Sequence, residues 1–389
     1  MISQSKVSLS LITFLFSFCL LQAQPNDSLL VAPNHEALHY VGRINQVNPA
    51  EPVIYWAGTS IEMNFTGTSV KVMLDDEKGE NYFQAIIDGL VAHPIVFHCQ
   101  KGEQTYHLAA GLPTGEHHLE LVKRTEPWEG STTFKGFVLD DNAKVVPVDT
   151  KEKLQLVFFG NSITTGMGNE DLSANGRNNS NPLYKNHYLS YASVAARELN
   201  AEHHSISLSG IGVTVSWGDY IMPEVYNRIN PFDAASRCDF TSFQPDVVVV
   251  NLFQNDSWLV ERPGYEQFKK RFPDGHKPTD QALVEAYVAF LKKIRVAYPS
   301  APIVCALGSM DATREGSKWP GLVQQAVDKM IAGDKKEKIT TFFFPYNGHH
   351  GHPTIYHDQQ MGHQLAIYIQ KEVLKKRRKR TNRIQKVKY

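Results

Sequence analysis

Cysteine is scarce in this chain, four in 389 residues, and no two of them form a CxxC pair. That excludes a disulfide-framed scaffold and any cysteine-based metal spacing. Long apolar runs are missing too. The one candidate, Leu9 to Leu21, is about a dozen residues, too short to span a bilayer. Lys6 precedes it and Ala23 stands before Gln24, so residues 1–23 read as a secretory signal cleaved after Ala23. Cys19 falls inside that segment, but Phe16 stands where a lipoprotein signal would carry leucine. The reading is therefore a secreted or periplasmic protein without stable membrane insertion.

Excess charge of one sign is absent as well, with 40 Lys/Arg against 40 Asp/Glu. The balance hides two unlike parts. Residues 371–389 hold ten Lys/Arg against a single acid, Glu372, which leaves an acidic body and a basic tail. An acidic body offers no footprint for nucleic acid, and none is expected as a partner. The tail could attach to an anionic polymer or lipid, or be a solvated helix end; the second is the plainer reading.

No internal repeat is evident, and hydrophobic periodicity divides what is there into two halves. From about 36 to 145 the period is two: Ile61, Met63 and Phe65 alternate with Glu62, Asn64 and Thr66, and Leu119 and Leu121 flank Glu120. Turn signals recur at Gly58, Gly67, Asp88-Gly89 and Pro113-Thr114-Gly115. Short alternating strands with no long helical pattern predict an antiparallel β-sandwich over 24–147. Over 148–375, apolar strands at 154–159, 203–208, 246–251, 302–307 and 339–344 alternate with helical patterns. That alternation predicts a doubly wound parallel sheet covered on both faces, an α/β fold. The clearest helix runs from Asp280 to Ala297, capped by Thr279, with Leu283, Tyr287, Phe290, Leu291 and Ile294 on one face. Residues 376–389 form the tail.

Three strand ends carry chemistry. LQLVFFGNSITTGMG places Ser162 just past a buried strand, where a hydroxyl can face a cleft. The run DVVVVN leads to Asn255 and Asp256, and near the C-terminus GHHGHPT carries His352 followed by Pro353. A serine hydroxyl is a weak nucleophile and needs a base within hydrogen-bond reach. His352 is the candidate, since imidazole shuttles protons near neutrality. An oxyanion formed on ester attack needs aimed donors, and the side-chain amide of Asn255 is one. Taken alone, Asn255 could be a turn residue and His352 a surface or core histidine; the shared order and context set them apart. The cluster His349, His350, His352 and His357 invites a metal reading, but no acidic or cysteine partner completes a site, so neither metal nor cofactor is expected.

These residues resemble the motifs of the SGNH/GDSL hydrolases. The family's G-D-S block appears as Gly160-Asn161-Ser162, its G-x-N-D block ends in Asn255-Asp256, and its D-x-x-H-P block appears as His349 to Pro353. The glycine whose backbone N–H joins the oxyanion hole is best matched by Gly210, with Gly212 the alternative. Asp256 would belong to the loop's scaffold, bonding backbone. Asn161 for Asp is a mild departure. His349 for Asp removes the carboxylate that usually orients the histidine.

With the N-terminal segments included, the chain is similar to carbohydrate esterase family 2, a β-sandwich followed by an SGNH domain. That resemblance implies a Ser162–His352 dyad with the histidine held by a backbone carbonyl; a carboxylate against His352 Nδ1, Asp311 or Asp358 first, would overturn the dyad. It implies removal of O-acetyl groups from xylan- or mannan-type polysaccharide. Trp258 could stack on a sugar ring or pack beneath its loop; Trp217 and Trp128 are weaker candidates of the same kind. The asparagine-rich stretch Gly166 to His187 reads as a cleft-lining loop. Two other functions stay open: a non-catalytic carbohydrate-binding protein with a decayed hydrolase half, and a lipase or thioesterase, against which the polarity of that loop speaks.

Overall fold

The computed structural model describes residues 28–150, 153–173, 176 and 179–374; the signal segment 1–23 and the tail 376–389 lie outside the described residues. Twelve strands come first: β1 (Leu29–Val31), β2 (His39–Val41), β3 (Ile44–Asn45), β4 (Val53–Ile54), β5 (Ser60–Thr66), β6 (Ser69–Asp76), β7 (Tyr82–Ile87), β8 (Ile95–His98), β9 (Gly102–Ala110), β10 (Glu116–Lys123), β11 (Thr132–Leu139) and β12 (Val145–Val146). They form two sheets. One is ordered β3-β4-β11-β6-β9 with β1 on β11, the other β12-β5-β10-β7-β8 with β2 on β5. Both are antiparallel throughout. Alternation places Ile61, Met63 and Phe65 of one sheet against Val70, Val72 and Leu74 of the other in a shared apolar core.

The outer face of the second sheet is not left to solvent. Glu62, pointing away from the core, is 7% exposed because the second half of the chain covers it. Glu62 and Glu120 line a polar cavity of about 220 Å³ together with Lys153, Arg197, Glu202 and His203. Burial, with the charge of Glu62, raises the Glu120 carboxyl to about 7. Trp56 goes further and joins the core of the second half, its indole N–H donating to Ile229 O at 2.7 Å.

The second half is built on β13 (Leu154–Gly160), β14 (Ala201–Ser207), β15 (Val247–Asn251), β16 (Ile303–Leu307) and β17 (Ile339–Phe343), with helices α1 (Ser162–Thr165), α2 (Tyr191–Glu198), α3 (Met222–Val225), α4 (Gln254–Leu259), α5 (Glu266–Arg271), α6 (Asp280–Ala297), α7 (Trp319–Gly333) and α8 (Ile355–Tyr368). The sheet is parallel and ordered β14-β13-β15-β16-β17. Every residue of β15 and β16 is buried, as a sheet covered on both faces demands. Val157, Phe159, Val248 and Val250 face α6 and α7, while the alternate residues Leu156, Phe158, Val247 and Val249 face α2 and α8. Helix α6 has the expected bounds and cap: Thr279 Oγ1 accepts from Ala282 N at 3.2 Å, and its five apolar face residues are buried. The chain leaves β13 to one side for β14 and returns to the other for β15. Such a switch point opens a crevice at the carboxyl ends of the strands.

Candidate active site

Ser162 sits in that crevice, two residues beyond the end of β13 and 6% exposed. The turn that lifts it there depends on two neighbours. Asn161 caps α1, its Oδ1 accepting from Ile163 N at 3.0 Å, so Asn does the work expected of Asp at this position. Gly160 has no substitute, because a Cβ there would lie 2.0 Å from Thr164 Oγ1.

His352 reaches Ser162 from the far edge of the sheet, on the connection between β17 and α8. Its Nε2 lies 2.8 Å from Ser162 Oγ. The first turn of α8 is pinned to the loop that follows Ser162. Ile355 N donates to Asn169 O, and the buried Asp358 accepts from Asn169 Nδ2 at 3.0 Å and from Tyr191 N at 3.1 Å. Burial pushes the His352 imidazole down to about 4, against the charge of Glu126, which works to raise it. At neutral pH the ring is uncharged and able to accept a proton.

The group that orients His352 differs from the expectation. It is neither a backbone carbonyl nor a carboxylate but the side-chain oxygen of Asn179, 2.8 Å from His352 Nδ1 and 3.0 Å from His352 N. Asn179 Nδ2 in turn donates to Asp171 at 3.2 Å, and this fixes which way the amide points. With an acceptor at Nδ1, the proton resides there and the Nε2 lone pair faces the serine. Asp358 is spent on Asn169 and Tyr191, and Asp311 accepts from Trp258 Nε1 and Gln254 Nε2. His349 orders its own loop, accepting from Gly351 N at 3.1 Å, and His357 Nδ1 is bonded to Thr354.

On the other side of Ser162 stand the ends of β14 and β15. Gly210 has φ +83°, a conformation that favours glycine, and its N–H has no hydrogen-bond partner among the described residues. The N–H of Gly212, the alternative, is already donated to Ser216 Oγ at 2.9 Å. Asn255 Nδ2 donates to Ile211 O at 2.8 Å, which holds it beside Gly210 with one amide hydrogen to spare. Asp256 is a scaffold residue: fully buried, it accepts from Val213 N, Thr214 N and Oγ1, and Val215 N. Burial raises its carboxyl above the usual range while these donors pull it back. Thr165 Oγ1 completes the junction, donating to Ser162 O at 3.0 Å and lying 3.3 Å from Ser209 Oγ.

The sandwich also reaches the crevice. Between β10 and β11, Glu126 accepts from Ser209 N at 2.6 Å, and Trp128 Nε1 donates to Ser209 O at 3.1 Å. Glu126 and Glu129 close on the buried Lys185. Burial works against the lysine's charge, but the two carboxylates outweigh it and raise the ammonium above its usual range. Trp217 packs edge-on against Tyr265 behind Gly210. Trp258 is half-buried, tied by its N–H to Asp311 and packed against the α2–α8 core.

Comparison with known proteins agrees with this architecture. The family model described as carbohydrate esterase 2 N-terminal matches residues 40–148, the sandwich strands. A solved family two carbohydrate esterase from Clostridium thermocellum, in complex with cellohexaose, superposes with a TM-score of 0.75 at 31% identity, covering 86% of this chain and 99% of that one. The chain belongs to carbohydrate esterase family 2. The cellulase/esterase CelE of Acetivibrio thermocellus is 35% identical over 73% of this chain, which spans only 32% of CelE's own length. An acetylxylan esterase/glucomannan deacetylase of Cellvibrio japonicus is 26% identical over 86% of this chain and 91% of its own.

Of the residues singled out in the sequence, Ser162 and His352 are in direct contact, while Gly210 and Asn255 belong to the adjoining segment reached through the Ser162–Thr165–Ser209 contacts and Ile211. Asn179, Asp171 and Glu126 were not singled out. The signal for Asn179 was the polarity of the loop 166–187, which carries too many asparagines to mark one of them. Glu126 carried no signal, because its place follows from the docking of the two halves.

Proposed function

We propose that the protein is an exported serine esterase that removes O-acetyl groups from a polysaccharide of xylan or mannan type, with Ser162 as nucleophile and His352 as base. The observation that carries this reading is the 2.8 Å contact between Ser162 Oγ and a His352 ring whose other nitrogen is held at 2.8 Å by Asn179. Ser162 Oγ attacks the acetyl carbonyl as His352 Nε2 takes its proton. The tetrahedral oxyanion is met by the N–H groups of Ser162 and Gly210 and the amide of Asn255. Collapse breaks the bond to the sugar oxygen, which leaves with the proton from His352. Water activated by the same nitrogen then releases acetate from the acyl-serine.

Asn179 takes the place of the family's acid. It fixes the tautomer and ring orientation, while a neutral amide stabilises the imidazolium less than a carboxylate would. Substrate contact is assigned to the half-exposed face of Trp258. The polymer class follows the relatives' printed activities, and the polar crevice loop supports it over a lipid ester. The test is acetate release from acetylated xylan and glucomannan by the wild-type chain and by Ser162→Ala. The variant should fold normally and lose several orders of magnitude in turnover. Full activity in Ser162→Ala would remove the assignment.

A further inference from the structure

Ser209 is held at both of its backbone hydrogen-bonding groups by the sandwich half of the chain. Its N–H donates to Glu126 at 2.6 Å, and its carbonyl accepts from the indole N–H of Trp128 at 3.1 Å. That carbonyl belongs to the same peptide unit as the Gly210 N–H. In a planar trans peptide the two point in opposite directions, so whatever fixes the carbonyl aims the N–H. We propose that Trp128 and Glu126 are positioning residues for the oxyanion hole, making the N-terminal domain a working part of the catalytic centre. This rests on the reading of Gly210 as an oxyanion donor.

The clamp is built to be stiff. Trp128 lies against Phe232, with ring centroids 4.7 Å apart, and its ring edge packs over Gly218. Glu126 is buried and held by Lys185 at 3.0 Å. Beyond Ser209, the carbonyl of Gly210 accepts from Trp217 N at 2.9 Å, so the donor peptide is braced before and after. A hydrogen bond to the Ser209 carbonyl also polarises the shared peptide, making the Gly210 N–H a better donor to a developing negative charge. Glycine at φ +83° has no side chain to lock it, so the peptide plane depends on these outside contacts.

Trp128 is 37% exposed at the crevice and could instead serve only as a platform for sugar. An ester without a sugar separates the two roles. Trp128→Phe keeps an aromatic ring over Phe232 and deletes the N–H. On 4-nitrophenyl acetate it should lower kcat about tenfold with KM nearly unchanged and no shift in the thermal midpoint, a fraction of the 10²–10³ attached to losing an oxyanion donor outright. Glu126→Gln, which keeps an acceptor near Ser209 N but removes its charge, should lower kcat in the same direction, and it decides the matter if Trp128→Phe does not fold. Unchanged kcat on the aryl ester in the folded variants, with any loss confined to KM on acetylated xylan, overturns the proposal. Ser162→Ala measured alongside keeps the two readings apart: if it is inactive while Trp128→Phe is fully active, the clamp falls and the site stands.

Discussion

The two shoulders of Ser162 are built in opposite ways. The shoulder proposed to bind the oxyanion stands on the ends of β14 and β15, and its candidate donors are fixed by buried groups with many bonds. Asp256 gathers three successive backbone N–H groups, Asn255 is tied to Ile211 O, and Glu126 and Trp128 hold Ser209. The base shoulder rests on loop against loop. His352 rides on the connection to α8 and is oriented by one side-chain oxygen, from a residue 173 positions earlier in the chain. A donor that must be aimed before charge develops gains from rigidity. A base that must accept and return a proton needs a fixed tautomer and little more.

The largest expected contrast is at Asn255. Asn255→Ala should lower kcat by about 10²–10³, or ~3–4 kcal/mol, with a smaller effect on KM, because its amide binds charge present only in the transition state. A rise in KM alone would make Asn255 a ground-state contact and erase the distinction between the shoulders. Asn179→Ala should cost less, about 10–10² in kcat, since the ring loses its orienting acceptor but keeps its lone pair near the serine. A loss as deep as that of His352→Ala would mean the base side is as tightly specified as the oxyanion side.

Acid titration sharpens the comparison further. Only neutral His352 can accept the serine proton, and burial holds its pKa near 4 in the folded chain. On the proposed mechanism, activity is expected above that value and should be lost as pH falls through it. The acid limb of kcat/KM on a small acetate ester should lie nearer pH 4 than the ordinary imidazole value of about 6.5. A limb at or above 6.5 would place His352 in water. The smallest effect belongs to His349, which orders the turn at Gly351 but touches neither Ser162 nor His352's ring nitrogens. His349→Ala should retain most activity, within about fivefold by the scale of single loop contacts.

The same division explains what could be read from the sequence. Strands whose burial dictates composition were legible, from the all-apolar β15 to the alternating β5, as was α6 with its Thr279 cap. The positions of Ser162, Asn255 and His352 after strand ends were legible, and the scaffold place of Asp256 followed from the family resemblance. Asn179 was not legible. Its selection among the loop's asparagines depends on how 166–187 lies against His352, a contact across 173 residues with no periodic signature. The expectation of a backbone carbonyl was overtaken there for a simple reason: a side-chain amide anchored by Asp171 already occupies that place. Trp258 shows the same limit, since its indole N–H is committed to Asp311, a partner 53 residues away.

The central claim is that Ser162 is activated by a histidine held through Asn179. The direct measurement is the rate at which a fluorophosphonate ester modifies the intact protein, with the labelled residue located by peptide mass spectrometry. A single adduct on Ser162 is expected, its formation slowed about 10–10²-fold in Asn179→Ala and nearly abolished in His352→Ala. An adduct on another residue, or equal labelling rates in the wild type and His352→Ala, would contradict it.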